Sequence, residues 1–74
     1  MKVELTNGWD SDDVLATRTV RTEKRAIWWI KKLGPLYAGM KPAPYWSFCS
    51  IGKGAKSRIV DFGSHWIFAR ITED

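Results

Sequence analysis

The first twenty residues carry the pattern of two strands joined by a polar turn. Residues 2–6 alternate polar and apolar side chains, which predicts a strand with one buried face. Asn7-Gly8 follows and is a strong turn dipeptide. Residues 14–20 are rich in β-branched side chains and favour a second strand. The alternative for this segment is a helix capped by Ser11 with acids in its first turn.

The most distinct helical pattern covers residues 22–33. Thr22 can cap the helix and Glu23 suits the positive end of its dipole. Gly34-Pro35 is expected to end the helix. Apolar side chains spaced by three and four positions form a stripe, which we expect to face a sheet. The stripe consists of Ala26, Trp29, Ile30 and Leu33.

The C-terminal half predicts a three-stranded meander after a proline-rich loop. The loop covers residues 34–44 and holds all three prolines. The remaining elements are strands at 45–51, 57–62 and 65–72 and turns at 52–55 and at Gly63-Ser64. Residues 1–74 are therefore expected to form one small α+β domain of order ββαβββ, an antiparallel sheet with one helix packed on one face.

Length and the scarcity of cysteine and histidine restrict the chemistry. A chain of 74 residues is expected to be one domain with a small core. The single Cys49 and single His65 exclude an intrachain disulfide and a Cys/His zinc cluster, and no cofactor or metal is predicted. Cys49 is interpreted as a small buried apolar residue. No signal peptide and no apolar run of about 18 residues is present, so we expect a cytoplasmic protein without membrane contact.

Charge is distributed unevenly along the chain. Six of the eight acids lie outside residues 14–72. Within that range 11 Lys and Arg residues stand against two acids, an excess of nine positive charges. A basic body favours polyanions or acidic protein surfaces as partners. The alternative is that positive charge keeps a small aromatic-rich protein in solution.

Trp28 stands among cations on the side of the helix opposite the apolar stripe. These cations are Lys24, Arg25, Lys31 and Lys32. A solvent-facing Trp among Lys and Arg is typical of interface hot spots and of sites that stack nucleic-acid bases. The alternative is that the 34–44 loop folds over Trp28 and makes it part of the core.

A second basic segment covers residues 52–58 and carries Lys53, Lys56 and Arg58. Its two glycines can present backbone N–H groups to an anion. It is not a phosphate loop of a nucleotide hydrolase, because Ala55 precedes Lys56 and a strand is predicted to follow. We interpret it as a hairpin tip that contacts phosphates or an acidic surface, with a solvated turn as the alternative.

Asp61, Ser64 and His65 have the residue types of a hydrolytic triad. They lie within five residues of one tight hairpin, which supplies neither an oxyanion hole nor a pocket. The sequence therefore argues against an enzyme. Asp61 and Ser64 are expected to bond the local backbone of a turn.

Four aromatic residues alternate within two of the predicted strands. They are Trp46, Phe48, Trp66 and Phe68. Pairing across the strands in the core is the expected arrangement. The alternative is that both pairs face away from the helix and form an exposed stacking surface of the kind used by single-strand binders.

The element order, with residues 22–27 entering the helix, resembles small phage-encoded accessory proteins, including some anti-CRISPR proteins. The predicted hairpin at residues 59–65, followed by Phe68 and Ile71, is similar to a C-terminal hairpin of short phage proteins. The resemblance implies a protein of a phage or mobile element that blocks a host machine by occupying a surface. It carries over no functional residue. Inhibitors that mimic DNA are mostly acidic, so the basic body favours contact with an acidic protein face or with nucleic acid inside a host complex.

The leading hypothesis is a non-enzymatic protein that binds and inhibits or redirects a host protein or nucleoprotein complex. Its primary contact would be Trp28 with Lys24, Arg25, Lys31 and Lys32, and its second contact would be Lys53, Lys56 and Arg58. One alternative is direct nucleic-acid binding through the same cations. Another is a structural subunit of a homo-oligomer, and the sequence leaves a homodimer open.

Overall fold

Five strands and one helix make up the fold in a computed structural model that describes residues 1–39, 47–50 and 56–73, without the side chain of Cys49. The elements are β1 (Lys2–Thr6), β2 (Val14–Thr19), α1 (Glu23–Ala38), β3 (Ser47–Ser50), β4 (Ser57–Asp61) and β5 (Phe68–Thr72). The strands form one antiparallel sheet in the order β2-β1-β5-β4-β3. The predicted α+β class and the order ββαβββ are confirmed.

The helix-facing side of the sheet is centred on β1 and β5. Val3 pairs with Ile71 and Leu5 pairs with Ala69, and all four side chains are fully buried. Side chains alternate between the two faces of a strand, so these four share one face. They form a single core cluster with the inner side of α1.

The opposite side of β1 is also covered, so the prediction of a strand with one buried face is wrong. Glu4 and Thr6 are also buried, at 6% and 0% exposure. Arg70, which pairs with Glu4 across the sheet, donates from Nε to Glu4 Oε1 at 3.1 Å and from Nη1 to Asp10 Oδ1 at 3.1 Å. The hydrogen bond to Glu4 is the main cause that raises the pKa of Arg70 above its ordinary value. The arginine therefore stays charged and offsets the buried carboxylate throughout the physiological pH range.

The second segment is a strand, as predicted, and the alternative of a helix capped by Ser11 is excluded. β2 pairs with β1 from Lys2 opposite Thr19 to Thr6 opposite Val14, with a bulge before the last pair. Ser11 instead accepts a hydrogen bond at Oγ from the backbone N–H of Asp13, at 3.0 Å. The hydroxyl stabilises the polar turn between the two strands.

The helix begins where the sequence predicts. Thr22 has extended backbone geometry, and its Oγ1 accepts a hydrogen bond from the Arg25 N–H at 3.2 Å. The predicted stripe also faces the sheet. Ala26, Trp29 and Ile30 are buried, and the half-buried Leu33 packs against them.

The predicted end of the helix is wrong, because α1 continues through Gly34-Pro35 to Ala38. Pro35 lacks the N–H that would bond to the carbonyl four residues earlier, which normally interrupts a helix. Here Gly34, Pro35 and Ala38 are all buried, so packing favours the extra turn. Gly39, with a φ of 65°, ends the helix in the left-handed conformation that glycine adopts readily.

Gly34 is the position where a side chain distant in sequence meets the helix backbone. An added Cβ at Gly34 would lie 2.9 Å from Cζ of Phe62 and 3.1 Å from Cε1 and Cε2. Phe62 is 2% exposed and belongs to the core. The glycine therefore gives the phenyl ring direct access to the surface of α1.

The connection between β4 and β5 is longer than the predicted two-residue turn. β4 ends at Asp61 and β5 begins at Phe68 rather than at residue 65. The intervening residues 62–67 place Phe62 and Ile67 in the core. Side chains of Asp61 and Ser64 hold this wider loop, because they accept hydrogen bonds from backbone N–H groups within it.

The described members of the aromatic set do not form either of the predicted arrangements. Phe48 pairs with Val60, on the helix side of the sheet. Phe68 pairs with Thr6, on the other side, where Trp9 contacts it edge to face at 5.5 Å between ring centroids. Trp66 precedes β5 and is half exposed.

Several predictions lie outside the described residues. They are the burial of Cys49, the position of Trp46, the turn at 52–55, residues 40–44 of the loop, and the ends of the strand predicted at 45–51. Within that strand, residues 47–50 form β3.

Gly34→Ala is expected to lower the free energy of unfolding by about 1–2 kcal/mol, although alanine is the better helix former. The added methyl group would collide with the ring of Phe62, which is held on all sides by the core. Chemical denaturation followed by circular dichroism measures the change. Leu36→Ala is the matched control on the same helix, because Leu36 is 74% exposed and its loss should change stability little. A Gly34→Ala variant as stable as the original chain would contradict this packing.

Candidate binding groove

Trp28 lies at the surface, and the part of the chain that the structure describes does not cover it. Its side chain is 52% exposed. The guanidinium carbon of Arg25 lies 5.7 Å from the ring centroid, and Nζ of Lys32 lies 6.0 Å from it. Both distances are those of cation–π contacts. Residues 34–38 of the loop that could have covered Trp28 are instead the last turn of α1.

An open groove of about 940 Å³ runs beside Trp28, between the first turns of α1 and strand β2. Its lining residues are Arg18, Thr19, Val20, Arg21, Thr22, Lys24, Arg25, Trp28 and Trp29. Four of these residues are cations, each of them exposed, and none is an acid. The groove therefore combines a dense positive charge with an accessible indole ring.

The groove exists because one helix is too narrow to cover five strands. Among the described elements α1 packs on β1 and β5, and β2 is the outermost strand on this side. On the helix side of β2, Ala16 reaches the core but Arg18 remains exposed. The chain then turns from the end of β2 into α1 within residues 20–22, which places Arg21 at the mouth of the groove.

The sequence pattern did not indicate two of the groove residues, Arg18 and Arg21. The helical pattern groups only the cations of α1, whereas Arg18 and Arg21 precede α1 in the chain. A signal was present, because Arg18, Arg21, Lys24 and Arg25 are spaced by three, three and one residues. That spacing spans a strand end and a helix start, so no single periodicity groups them.

The cations predicted as the primary contact divide into two sets. Lys24 and Arg25 line the groove. Lys31 and Lys32 are exposed further along α1 and do not line it, although Lys32 contacts Trp28. The predicted outward face of the helix is therefore real, but its N-terminal half is the part that joins the groove.

The second predicted contact is not one cluster in the structure. Lys53 lies outside the described residues. Arg58 is on the helix side, where Nη1 lies 2.8 Å from Glu23 Oε1 and Nη2 lies 3.4 Å from Glu73 Oε1. Lys56 precedes β4, so the alternation of side chains along the strand does not determine its side. It lines a small polar cavity with Glu4 and Arg70, on the face of the sheet opposite the helix. Arg58 therefore joins the helix start to the chain end, and its charge is offset by two carboxylates.

The interpretation of Asp61 and Ser64 as turn-forming side chains is confirmed. Asp61 Oδ1 accepts a hydrogen bond from the Gly63 N–H at 2.9 Å. Ser64 Oγ accepts from the N–H groups of Trp66 at 3.3 Å and Ile67 at 2.9 Å, and Ser64 is 1% exposed. His65 is exposed on the same loop. Both oxygens are engaged by the backbone that they hold in place.

Comparisons with protein-family models, with curated proteins and with solved structures found no match to this chain. Within the described residues, no group of three His, Cys, Asp or Glu side chains is placed to hold a metal ion. The one described helix is too short and too polar to cross a membrane. The groove is therefore interpreted from its own geometry and charge.

Two adjacent tryptophans allow a direct test of which indole belongs to the core. Trp29 is 5% exposed. The substitution Trp29→Ala should therefore lower the free energy of unfolding by about 3–5 kcal/mol, because removal of the indole leaves a cavity. Trp28→Ala should change it by about 0.5 kcal/mol or less, as exposed substitutions do. Thermal and chemical denaturation of both variants measure the difference. Trp29→Phe is the milder variant if Trp29→Ala does not fold, and equal losses at the two positions would contradict the assignment.

Proposed function

We propose that this chain is a non-enzymatic binding protein whose groove holds a single-stranded segment of nucleic acid. The observation that carries the proposal is the lining of the groove, which includes four exposed cations and an exposed indole but no acid among its described lining residues. Cations along a groove attract the phosphate backbone, and an accessible aromatic ring stacks on an unpaired base.

A single strand fits this groove better than a duplex does. Trp28 can stack only on a base whose face is free, and the bases of a duplex are stacked on each other. Arg25 and Lys32 lie beside the ring, within 6.0 Å of its centroid, so charge and stacking surface are close together. A nucleotide bound on Trp28 would therefore have its phosphate within reach of a cation.

The wider role that we propose is that of a small phage or mobile-element protein, of the anti-CRISPR-like kind, acting in the cytoplasm of a host cell. It would bind a host nucleoprotein complex at an exposed single strand and inhibit or redirect that complex without catalysis. The positive excess of the chain body supports a nucleic-acid target over mimicry of nucleic acid.

A second candidate is docking on an acidic protein face. The half-exposed Trp28 among cations also has the composition of a protein–protein hot spot. This candidate predicts that the groove binds no free oligonucleotide, so titration with an oligonucleotide separates the two candidates.

Binding to oligonucleotides should be specific for single strands and sensitive to salt. We expect a labelled mixed-sequence single strand to bind more tightly than the duplex. If the four groove cations each contact a phosphate, raising the salt from about 50 mM to about 200 mM should weaken binding roughly 50-fold. Fluorescence anisotropy titrations at both salt concentrations provide the measurement. Absence of binding at the lower salt would remove nucleic acid and leave the protein-docking candidate.

The groove, rather than the overall charge, should determine the affinity. The double variant Arg18→Gln, Arg21→Gln removes two groove cations. The steepness with which the logarithm of the binding constant falls with the logarithm of the salt concentration should decrease by about 1.4. The matched control Lys2→Gln, Lys56→Gln removes the same charge from the cavity on the opposite face and should lower it much less. Equal effects of the two double variants would show that binding is a response to net charge alone.

A further inference from the structure

Strand β2 has one side that no described strand occupies. It is the first strand of the sheet order, and its inner side pairs with β1. Met1 and Val20 exchange two backbone hydrogen bonds, of 3.0 and 2.8 Å. Hydrogen-bonded and non-bonded pairs alternate along an antiparallel ladder, so Arg18 and Ala16 also direct their backbone groups to β1.

Thr17 and Thr19 consequently direct their N–H and C=O groups away from β1. Both residues are exposed. Val14 and Leu15, at the start of the same strand, are each 38% exposed. An open strand edge of this kind is a template for a further strand, and the strand contains no proline that would prevent pairing.

The charges around β2 are arranged with opposite signs at its two ends. Asp12 and Asp13 precede the strand, whereas Arg18 and Arg21 occupy and follow its other end. An antiparallel strand with the same sequence would bring acids next to cations twice. A second copy of this chain is therefore complementary to the edge in both hydrogen bonding and charge.

We propose that two copies of the chain pair through β2, antiparallel, with Thr17 of one copy opposite Thr17 of the other. In such a pairing, residues whose backbone N–H and C=O groups point away from β1 must lie opposite residues of the same kind. The possible registers therefore differ from one another by two residues. In the proposed register the acids that precede β2, Asp12 and Asp13, lie near Arg21, which follows β2 of the second copy, and the twofold symmetry repeats this contact. A shift that sets Thr17 opposite Thr19 would instead place Arg18 opposite its own copy, and like charges directly opposite are destabilising.

The proposed pairing would join the two grooves. The twofold axis of such an edge pairing is perpendicular to the sheet, so both helices lie on the same face. The grooves then share a floor formed by the paired β2 strands and have the two copies of α1 as walls. Arg18 lies opposite Ala16 of the second copy, so the guanidinium groups of the two Arg18 residues are not directly opposite each other. This consequence, a cleft for a longer single strand with Trp28 on both walls, rests on the proposed function, whereas the pairing itself does not.

The test is sedimentation velocity of the full chain over a range of concentrations, without nucleic acid. We expect a reversible dimer. Thr17→Pro should weaken it at least roughly tenfold, because the proline removes both N–H donors of the central pair. The fold should survive, since the Thr17 N–H does not bond to β1 and edge strands tolerate proline there. Thr17→Val keeps the N–H and should leave the dimer intact.

A charge exchange tests the register independently of the proline. Asp13→Arg and Arg21→Asp should each weaken the dimer roughly tenfold, and the double variant should restore it. Circular dichroism confirms that each variant is folded. A chain that stays monomeric at every concentration, a dimer unaffected by Thr17→Pro, or an exchange that fails to restore it would overturn the proposal. Because no oligonucleotide is present, such a failure leaves single-strand binding by the monomeric groove untouched.

Discussion

The packing of α1 across β1 and β5 is the constraint on which the rest of the molecule depends. Ala26, Trp29 and Ile30 place the helix over the two central strands, and Gly34 allows Phe62 to contact its backbone. A single helix that covers the centre of a five-stranded sheet must leave the outer strands uncovered on that face. The groove beside β2 is a direct consequence of this geometry, and so is the exposure of the cations that line it.

The arginines that form ion pairs and the cations of the groove are in different electrostatic surroundings. On the face opposite the helix, Arg70 is surrounded by Glu4 and Asp10, so its charge is neutralised locally and stabilises the fold. Arg58 is neutralised in the same way by Glu23 and Glu73. The cations of the groove have no acid beside them among its lining residues. Among the described residues, the groove therefore brings four cations together without an acid, although cations are distributed along most of the chain.

Local sequence patterns predicted those elements whose determinants lie close together in the chain. The capping hydroxyl of Thr22 and the helical stripe are set by neighbours within a few residues, and both were predicted correctly. The helix end was not predicted, because its extension depends on burial of Gly34, Pro35 and Ala38, and residues distant in sequence such as Phe62 contribute to that burial. The role of Arg18 was missed for a related reason, since a strand pattern does not show that its strand lies at the edge of the sheet.

The most direct test of the groove as a single-strand site is nuclear magnetic resonance of the ¹⁵N-labelled protein titrated with a short single-stranded oligonucleotide. We expect the largest shifts on the indole N–H of Trp28 and on backbone amides of residues 18–25, while the indole of Trp66 stays unchanged. Trp66 is the internal control, because it is exposed to the same extent but does not line the groove. Shifts centred on Lys2 and Lys56, or no shifts at all, would show that the groove does not hold the single strand.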